Sequence, residues 1–333
     1  IFDAPLAGVF FAMEVVLAEF ATRSFGAVVL ASVTSSVVSE AVRESPALLA
    51  VPSHGVESLV EFPWYLSLGL LAALVAVAYI KFMGWTEQFF DRLPVPQALK
   101  PALGGLGVGA IAIFVPRALG TGYIDIEKAL NGNITGALFV LALAKLIATS
   151  LTIGSGGAGG VFAPSLFIGA MLGASFGRLA QTWTTVQIAS EGAYAMVGMA
   201  AVFAATTHAP ITALMMVFEL THDYRLILPL MAGTVVSTLV SSHLNPDSIY
   251  SARLRRMGLS VSEINRLDYP SPMKQVLVGE VMTVDFGAVS MDTTLPELAE
   301  KFNSTGHHGY PVIDAKGRVH GMVTLKDLEY AKI

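Results

Sequence analysis

A chain of 333 residues that is 54% hydrophobic and 14% charged is not a soluble protein throughout, because soluble domains carry about 25% charged residues. Its mean hydropathy of +0.64 makes it an integral membrane protein. The net charge of −5 is scattered over segment ends and the C-terminal tail, no basic cluster suits nucleic acid, and the lack of cysteine excludes disulfides, thiolate metal sites and cysteine nucleophiles.

The chain starts at Ile1 without Met and enters an apolar helix almost at once. It has no charged n-region and no small-residue cleavage pattern, so it reads as beginning mid-protein rather than with a signal peptide. Residues 4–16 predict a short helix with Pro5 near its start, where proline is tolerated. Thirteen residues are too few to cross a hydrocarbon core of ~30 Å. Ser24–Ser39 predicts an uncharged helix, followed by a polar loop over 44–62. Pro63–Ile80 predicts a spanning helix that Lys81–Arg92 extends. Residues 97–116 are helical and rich in glycine, and 122–131 are short and interfacial. Residues 135–153 form a helix carrying Lys145, for which the sequence offers no obvious partner. Apolar segments at 192–207, 208–220 and 224–243 complete the membrane part.

Between these helices lies IGSGGAGGVFAPSLFIGAMLGASFGR, Ile153–Arg178. It sits in a run without charge from Leu146 to Gly177, broken by five glycines. A hydrophobic segment interrupted at its centre points to a transport site. Glycine-rich backbone ahead of a helix N-terminus presents N–H groups that, with the helix dipole, attract anions. The other reading of this stretch is a flexible loop between two helices. Gly169, Gly173 and Gly177 recur every four residues, so one helix face allows close packing.

The chain also repeats itself. DAPLAGVFFAMEV (Asp3–Val15) aligns with HAPITALMMVFEL (His208–Leu220), superposing Ala4, Pro5 and Glu14 on Ala209, Pro210 and Glu219. Structural halves of this kind build many transporters. From Ser251 the composition turns polar. A linker with Arg253, Arg255, Arg256 and Lys274 favours a cytoplasmic side. VGEVMT (278–283), a helix over Thr294–Gly306, strands at Tyr310–Asp314 and Arg318–Thr324, and a helix over Leu325–Ala331 capped by Thr324 describe a small α/β segment. His307 and His308 read as loop, not as a metal pair.

These motifs together resemble the CLC chloride channels and chloride/proton antiporters. GGVFAP (Gly159–Pro164) matches the family's GxFxP signature, and DAPLAGVFFAMEV is similar to its N-A-P-L-A-G helix. HAPITALMMVFELTHDYRLILPL and SIYSARL (Ser248–Leu254) resemble its later helices, in the family's order. The resemblance implies an all-α polytopic fold of tilted, broken helices in an inverted repeat over 1–258. A linker at 259–276 and a cytoplasmic segment at 277–333 would follow. That segment resembles a single CBS motif, normally found in pairs. The resemblance implies chloride ligands at the backbone of Val161 and Phe162 and the phenol of Tyr250, on an anion loop of Gly157, Gly159, Gly160 and Pro164. It implies a homodimer through helices 4–16, 24–42, 208–220 and 224–243, and an adenosine nucleotide as a possible ligand at Thr324 and Asp327. Those two residues would otherwise simply cap the last helix.

Two departures qualify the family pattern. The motifs G-S-G-I-P and G-[KR]-E-G-P do not occur. Where antiporters close the Ala-Pro helix with two acids, this chain has Glu14 followed by Val15, so the proton-acceptor position lacks an acid. That favours a gated chloride channel over a chloride/proton antiporter; a third reading is a non-transporting, dimerising membrane module. No acid/base or nucleophile constellation suggests a membrane enzyme, no metal site is expected, and chloride is the only ligand of the membrane part.

Overall fold

Proline at the first helical position and glycine between helices set the punctuation of this chain. The computed structural model describes residues 4–18, 20, 22–42, 54–55, 58–184, 187–222, 224–256, 258, 277, 279, 282 and 287–331. It divides into two compact units, Ile1–Arg266 and Leu267–Ile333. The expected linker over 259–276 and most of VGEVMT lie outside the described residues.

The first unit is helical. Its helices are α1 (Pro5–Phe11, continued by a π-helical turn Ala12–Val16), α2 (Thr22–Val42), α3 (Phe62–Arg92) and α4 (Lys100–Phe114). Then come α5 (Tyr123–Leu130), α6 (Leu138–Gly154), α7 (Phe162–Trp183) and α8 (Glu191–Thr207). The last are α9 (Pro210–Thr221), α10 (Ile227–Leu244) and α11 (Ile249–Arg256). Five helical stretches among the described residues are long and apolar enough to cross a membrane. The predicted elements recur within a few residues, and the spanning helix at 63–80 runs on through its expected extension as one helix of 31 residues.

Helix α8 is the centre. Every residue from Gly192 to Thr207 is buried, as expected of a helix apolar on all sides. Its neighbours approach closely because small residues face it. A Cβ on Gly173 would sit 2.1 Å from the Tyr194 carbonyl oxygen, and one on Gly169 would sit 2.4 Å from that of Gly198. At Gly169 and Gly173 the four-residue glycine spacing of α7 is therefore a backbone-to-backbone contact with α8, and at Gly177 it makes room for the Tyr194 side chain. On the other side, Ser237 and Ser241 of α10 donate to the carbonyls of Ala201 and Ala205, both at 2.8 Å. Helix α2, by contrast, buries almost none of its apolar face within the unit.

The two Ala-Pro helices are built alike. Ala4 and Ala209 cap them with nearly the same backbone angles (φ −136°, ψ 74° and φ −128°, ψ 76°), and each proline takes the first turn. Each also ends on a glutamate that caps the other. Glu219 accepts from the backbone N–H groups of Leu6 (2.8 Å) and Ala7 (2.7 Å). Glu14 accepts from the N–H of Thr212 (2.8 Å), its hydroxyl (2.7 Å) and the N–H of Ile211 (3.3 Å). A carboxylate suits the positive end of a helix, and here each supplies acceptors to N–H groups that have none within their own helix.

The second unit holds β1 (Val289–Ser290), α12 (Leu295–Thr305), β2 (Gly309–Ile313), β3 (Val319–Thr324) and α13 (Leu325–Ala331). The sheet order is β1-β2-β3, with β2 parallel to β1 and antiparallel to β3. A reciprocal capping box between Thr294 and Glu297 starts α12, and Gly306 at φ 69° ends it. Val289, Leu298, Phe302, Tyr310 and Leu328 form its core.

Candidate functional site

The glycine break is a defined turn. After α6, the N–H groups of Gly156 and Gly157 return to the carbonyls of Ile153 (3.0 Å) and Thr152 (2.9 Å). Gly156 takes φ +87°, which a residue with a Cβ adopts at a cost, and a Cβ on Gly157 would lie 2.7 Å from the Thr152 carbonyl. The chain then turns into α7, with Val161 as its N-cap and Phe162 as its first residue. Among the described residues no side chain caps the helix at Val161. Ser165 donates from its N–H (3.0 Å) and its hydroxyl (2.7 Å) to the Val161 carbonyl, which locks the first turn. Pro164 fits in that turn because the helix asks for no N–H bond there.

Two cavities flank Phe162. The first, of about 540 Å³, is lined by Phe162, Tyr250, Phe11, Gly8, Met216 and a serine face of α2 (Ser32, Ser35, Ser36, Ser39). The second, of about 440 Å³, is lined by Phe162, Gly159, Gly160, Pro164, Lys145 and Thr149, among others. Tyr250 and Phe162 are held together by Phe11. Its ring meets that of Tyr250 edge-on at 5.8 Å and that of Phe162 at 6.5 Å between centroids. Phe203 of α8 backs Phe162 at 4.7 Å. So residues 88 positions apart in sequence (162 and 250) face one cavity. Gly159, Gly160 and Pro164 face the other, while Gly157 folds onto α6.

Three contributors escaped the sequence reading. Phe11 looked like one more apolar residue of the first Ala-Pro helix. The serines of α2 recur at helical spacing, a legible signal that the helix lines a polar surface; Ser32 also donates to the Pro5 carbonyl at 2.8 Å. Lys145 has partners after all. Its Nζ donates to the carbonyls of Ala118 (3.0 Å) and Gly120 and lies 5.2 Å from the Phe167 ring centroid. Val15 stands half-buried in the π-helical turn after α1, and the neighbouring Glu14 is engaged at the head of α9.

In the second unit Thr324 and Asp327 meet each other. Asp327 accepts from the Thr324 hydroxyl (2.7 Å) and N–H (2.8 Å), and the Thr324 hydroxyl accepts from the Asp327 N–H (3.3 Å), a reciprocal cap at the start of α13. His307 and His308 lie in the loop between α12 and β2. Among the described residues no group of three or more His, Cys, Asp or Glu is placed to hold a metal.

Known proteins match both units. The family described as voltage gated chloride channel matches residues 1–242, and the CBS domain matches 278–332. Chloride channel protein CLC-f of Arabidopsis thaliana is 33% identical, over 98% of this chain and 49% of its own length. A putative ClcB-like chloride channel of Ralstonia nicotianae is 35% identical, over 77% and 60%. The H(+)/Cl(−) exchange transporter ClcA of Vibrio cholerae is 30% identical, over 81% and 59%. The chain thus spans about half to three-fifths of the length of these relatives. Among solved structures, a slow cyanobacterial Cl−/H+ antiporter matches with a TM-score of 0.68 at 26% identity, over 77% of this chain and 61% of that one. A eukaryotic CLC transporter shares the fold over 99% and 58%, with a TM-score of 0.61 at 20% identity. The motifs, the paired Ala-Pro helices and these matches agree: the chain belongs to the voltage-gated chloride channel (CLC) family, with a CBS domain in its C-terminal part.

Proposed function

We propose that the protein containing this chain conducts chloride passively across a membrane, with the N-terminus of α7 and Tyr250 forming one wall of the ion path. The observation that carries this reading is that Tyr250 and Phe162, the first residue of α7, line one cavity. Chloride is large and weakly hydrated. Partial charges from the backbone N–H groups of Val161 and Phe162 and the Tyr250 hydroxyl suit it, whereas a full cation at the narrowest point would slow its release. Relatives include both exchangers and channels. The channel reading rests on Val15 at the acceptor position and on Glu14 being occupied in capping α9.

In this reading residues 1–258 are the membrane domain and 277–333 a cytoplasmic CBS segment. Helices α2, α1, α9 and α10 pack in that order and would form the face between two copies. The capping geometry of Thr324 and Asp327 supports a structural role there over contact with an adenosine nucleotide.

The test is the reversal potential of the full-length protein in a planar bilayer under a pH gradient at fixed chloride. A channel keeps the chloride potential; a shift with pH refutes passive conduction in favour of exchange. Tyr250→Phe is expected to change chloride selectivity over larger anions while leaving the fold intact. Protein that folds in liposomes but passes no chloride would leave the dimerising-module reading.

A further inference from the structure

Helix α3 is longer than a membrane needs. Its first part, Phe62–Ile80, has no charged residue and is about 28 Å long as a helix, close to the ~30 Å of a hydrocarbon core. Charge returns at Lys81, so Lys81–Arg92 reaches the headgroup layer. A contact near its end tells which side of the membrane this is. Arg256, the last residue of α11, pairs with Glu87, and its guanidinium packs on Gly84 with no room for a Cβ between them. The end of α3 therefore lies beside Arg253, Arg255 and Arg256, where the chain leaves the membrane domain for its cytoplasmic segment.

A different face of this extension is open. Lys81, Trp85, Gln88 and Arg92 follow one another at three- and four-residue spacing, so they share a face, and all four are exposed. Higher on that face stand the exposed Leu70 and Leu74. Trp85 is 59% exposed, with the rings of Phe82 and Phe89 beside it at 5.7 and 5.9 Å between centroids. Next to it is a small cavity of about 170 Å³, walled by Trp85, Gln88, Phe89, Arg92 and Leu93. An amphipathic ring and long basic side chains are the groups that settle at headgroup level.

The charges here do not cancel. Glu87 is taken by Arg256. Lys100, at the start of α4, reaches back to the Asp91 carbonyl at 3.4 Å, which brings its ammonium to the end of α3. Among the described residues Lys81, Arg92 and Lys100 form no ion pair. Asp91, exposed and about 100° round the helix from Arg92, is the carboxylate that opposes them. Three cations and one carboxylate leave a surplus of positive charge around the cavity.

We propose that this cavity takes the phosphodiester headgroup of an anionic phospholipid of the cytoplasmic leaflet. Arg92 faces the phosphate, Lys81 and Lys100 add to the attraction, and the Trp85 indole N–H donates to a headgroup oxygen. The acyl chains run along Leu74 and Leu70. A zwitterionic lipid carries its own cation to the same place, so the site selects for net negative charge. The proposal goes beyond the chloride reading and holds whether conduction is passive or coupled.

The test is native mass spectrometry of the full-length protein, released from an equimolar mixture of phosphatidylglycerol and phosphatidylcholine with identical chains. The parent should retain phosphatidylglycerol in preference. Arg92→Gln should cut that preference about fivefold, the effect of one basic group at an anionic surface. The triple variant Lys81→Gln, Arg92→Gln, Lys100→Gln should abolish it, Arg92→Lys should keep most of it, and Trp85→Ala should lower retention of both lipids. Excess inorganic phosphate should leave the bound lipid in place. Equal retention of the two lipids by the parent overturns the proposal, and so does a folded triple variant with the parent's preference. Release of the lipid by inorganic phosphate alone overturns the lipid as occupant.

Discussion

Replacing Glu219 with alanine tests the reciprocal capping of the Ala-Pro helices. The carboxylate accepts two backbone N–H bonds at 2.8 and 2.7 Å, from Leu6 and Ala7. Each charge-assisted bond contributes about 1.5–3 kcal/mol when its partner has no substitute. Leu6 is half exposed, so its N–H regains some solvation once the carboxylate is gone. The net cost of Glu219→Ala is therefore about 3 kcal/mol, and Glu219→Gln, which keeps one acceptor but no charge, should cost about half of that. Glu14→Ala removes the mirror-image bonds to Ile211 and Thr212 and should cost a similar amount. Both glutamates tie the same two helices, so the double variant should fall short of the sum by more than about 0.5 kcal/mol. Chemical unfolding in detergent, followed by tryptophan fluorescence, measures all four. A Glu219→Ala protein within about 0.5 kcal/mol of the parent would refute the capping argument. Strict additivity in the double variant would refute the idea that the two caps act on one joint.

Further outcomes follow from other contacts. Gly173→Val drives a side chain into the Tyr194 carbonyl, 2.1 Å from the Cβ position, and should cost at least the ~1–3 kcal/mol typical of overpacking; unchanged thermal stability in detergent would contradict the backbone contact between α7 and α8. In the C-terminal unit, the N–H and hydroxyl of Thr294 hold the Glu297 carboxyl below its usual range. The N–H of Arg318 and the side chain of His320 do the same for Asp314, and the hydroxyl and N–H of Thr324 for Asp327. Groups depressed on folding stabilise above their unfolded pKa, about 4, and that contribution is lost as pH falls through the folded value. Hydrogen-exchange protection of residues 295–331 in the intact protein should therefore decline below about pH 4, and Asp314→Asn should flatten the decline; a protection factor unchanged down to pH 2 would refute it.

Much of the architecture can be read locally. Apolar runs of limited length, proline in a first helical turn and glycines before GVFAP define helices and a break through properties that each stretch carries by itself. Thr294 and Glu297 form a capping box from residues three apart. The four-residue glycine spacing announces a tight face on α7 even without its partner. The repeat at Asp3–Val15 and His208–Leu220 was visible as sequence, and it made Glu14 and Glu219 equivalent.

What each glutamate does was decided only by folding. A carboxylate at the end of a short helix caps nothing until another helix N-terminus is brought to it, and here that terminus lies about 200 residues away in the chain. Lys145 had no visible partner because its partners are backbone carbonyls, which every residue carries and no sequence distinguishes. The facing of Phe162 and Tyr250 across one cavity depends on Phe11, whose ring only the packing of α1 places between them. Composition and spacing determined the membrane class, the short paired helices and the glycine turn, since these follow from neighbouring residues. Tertiary structure decided which charges are compensated and which hydroxyls are left facing a cavity, because compensation is a matter of distance in space.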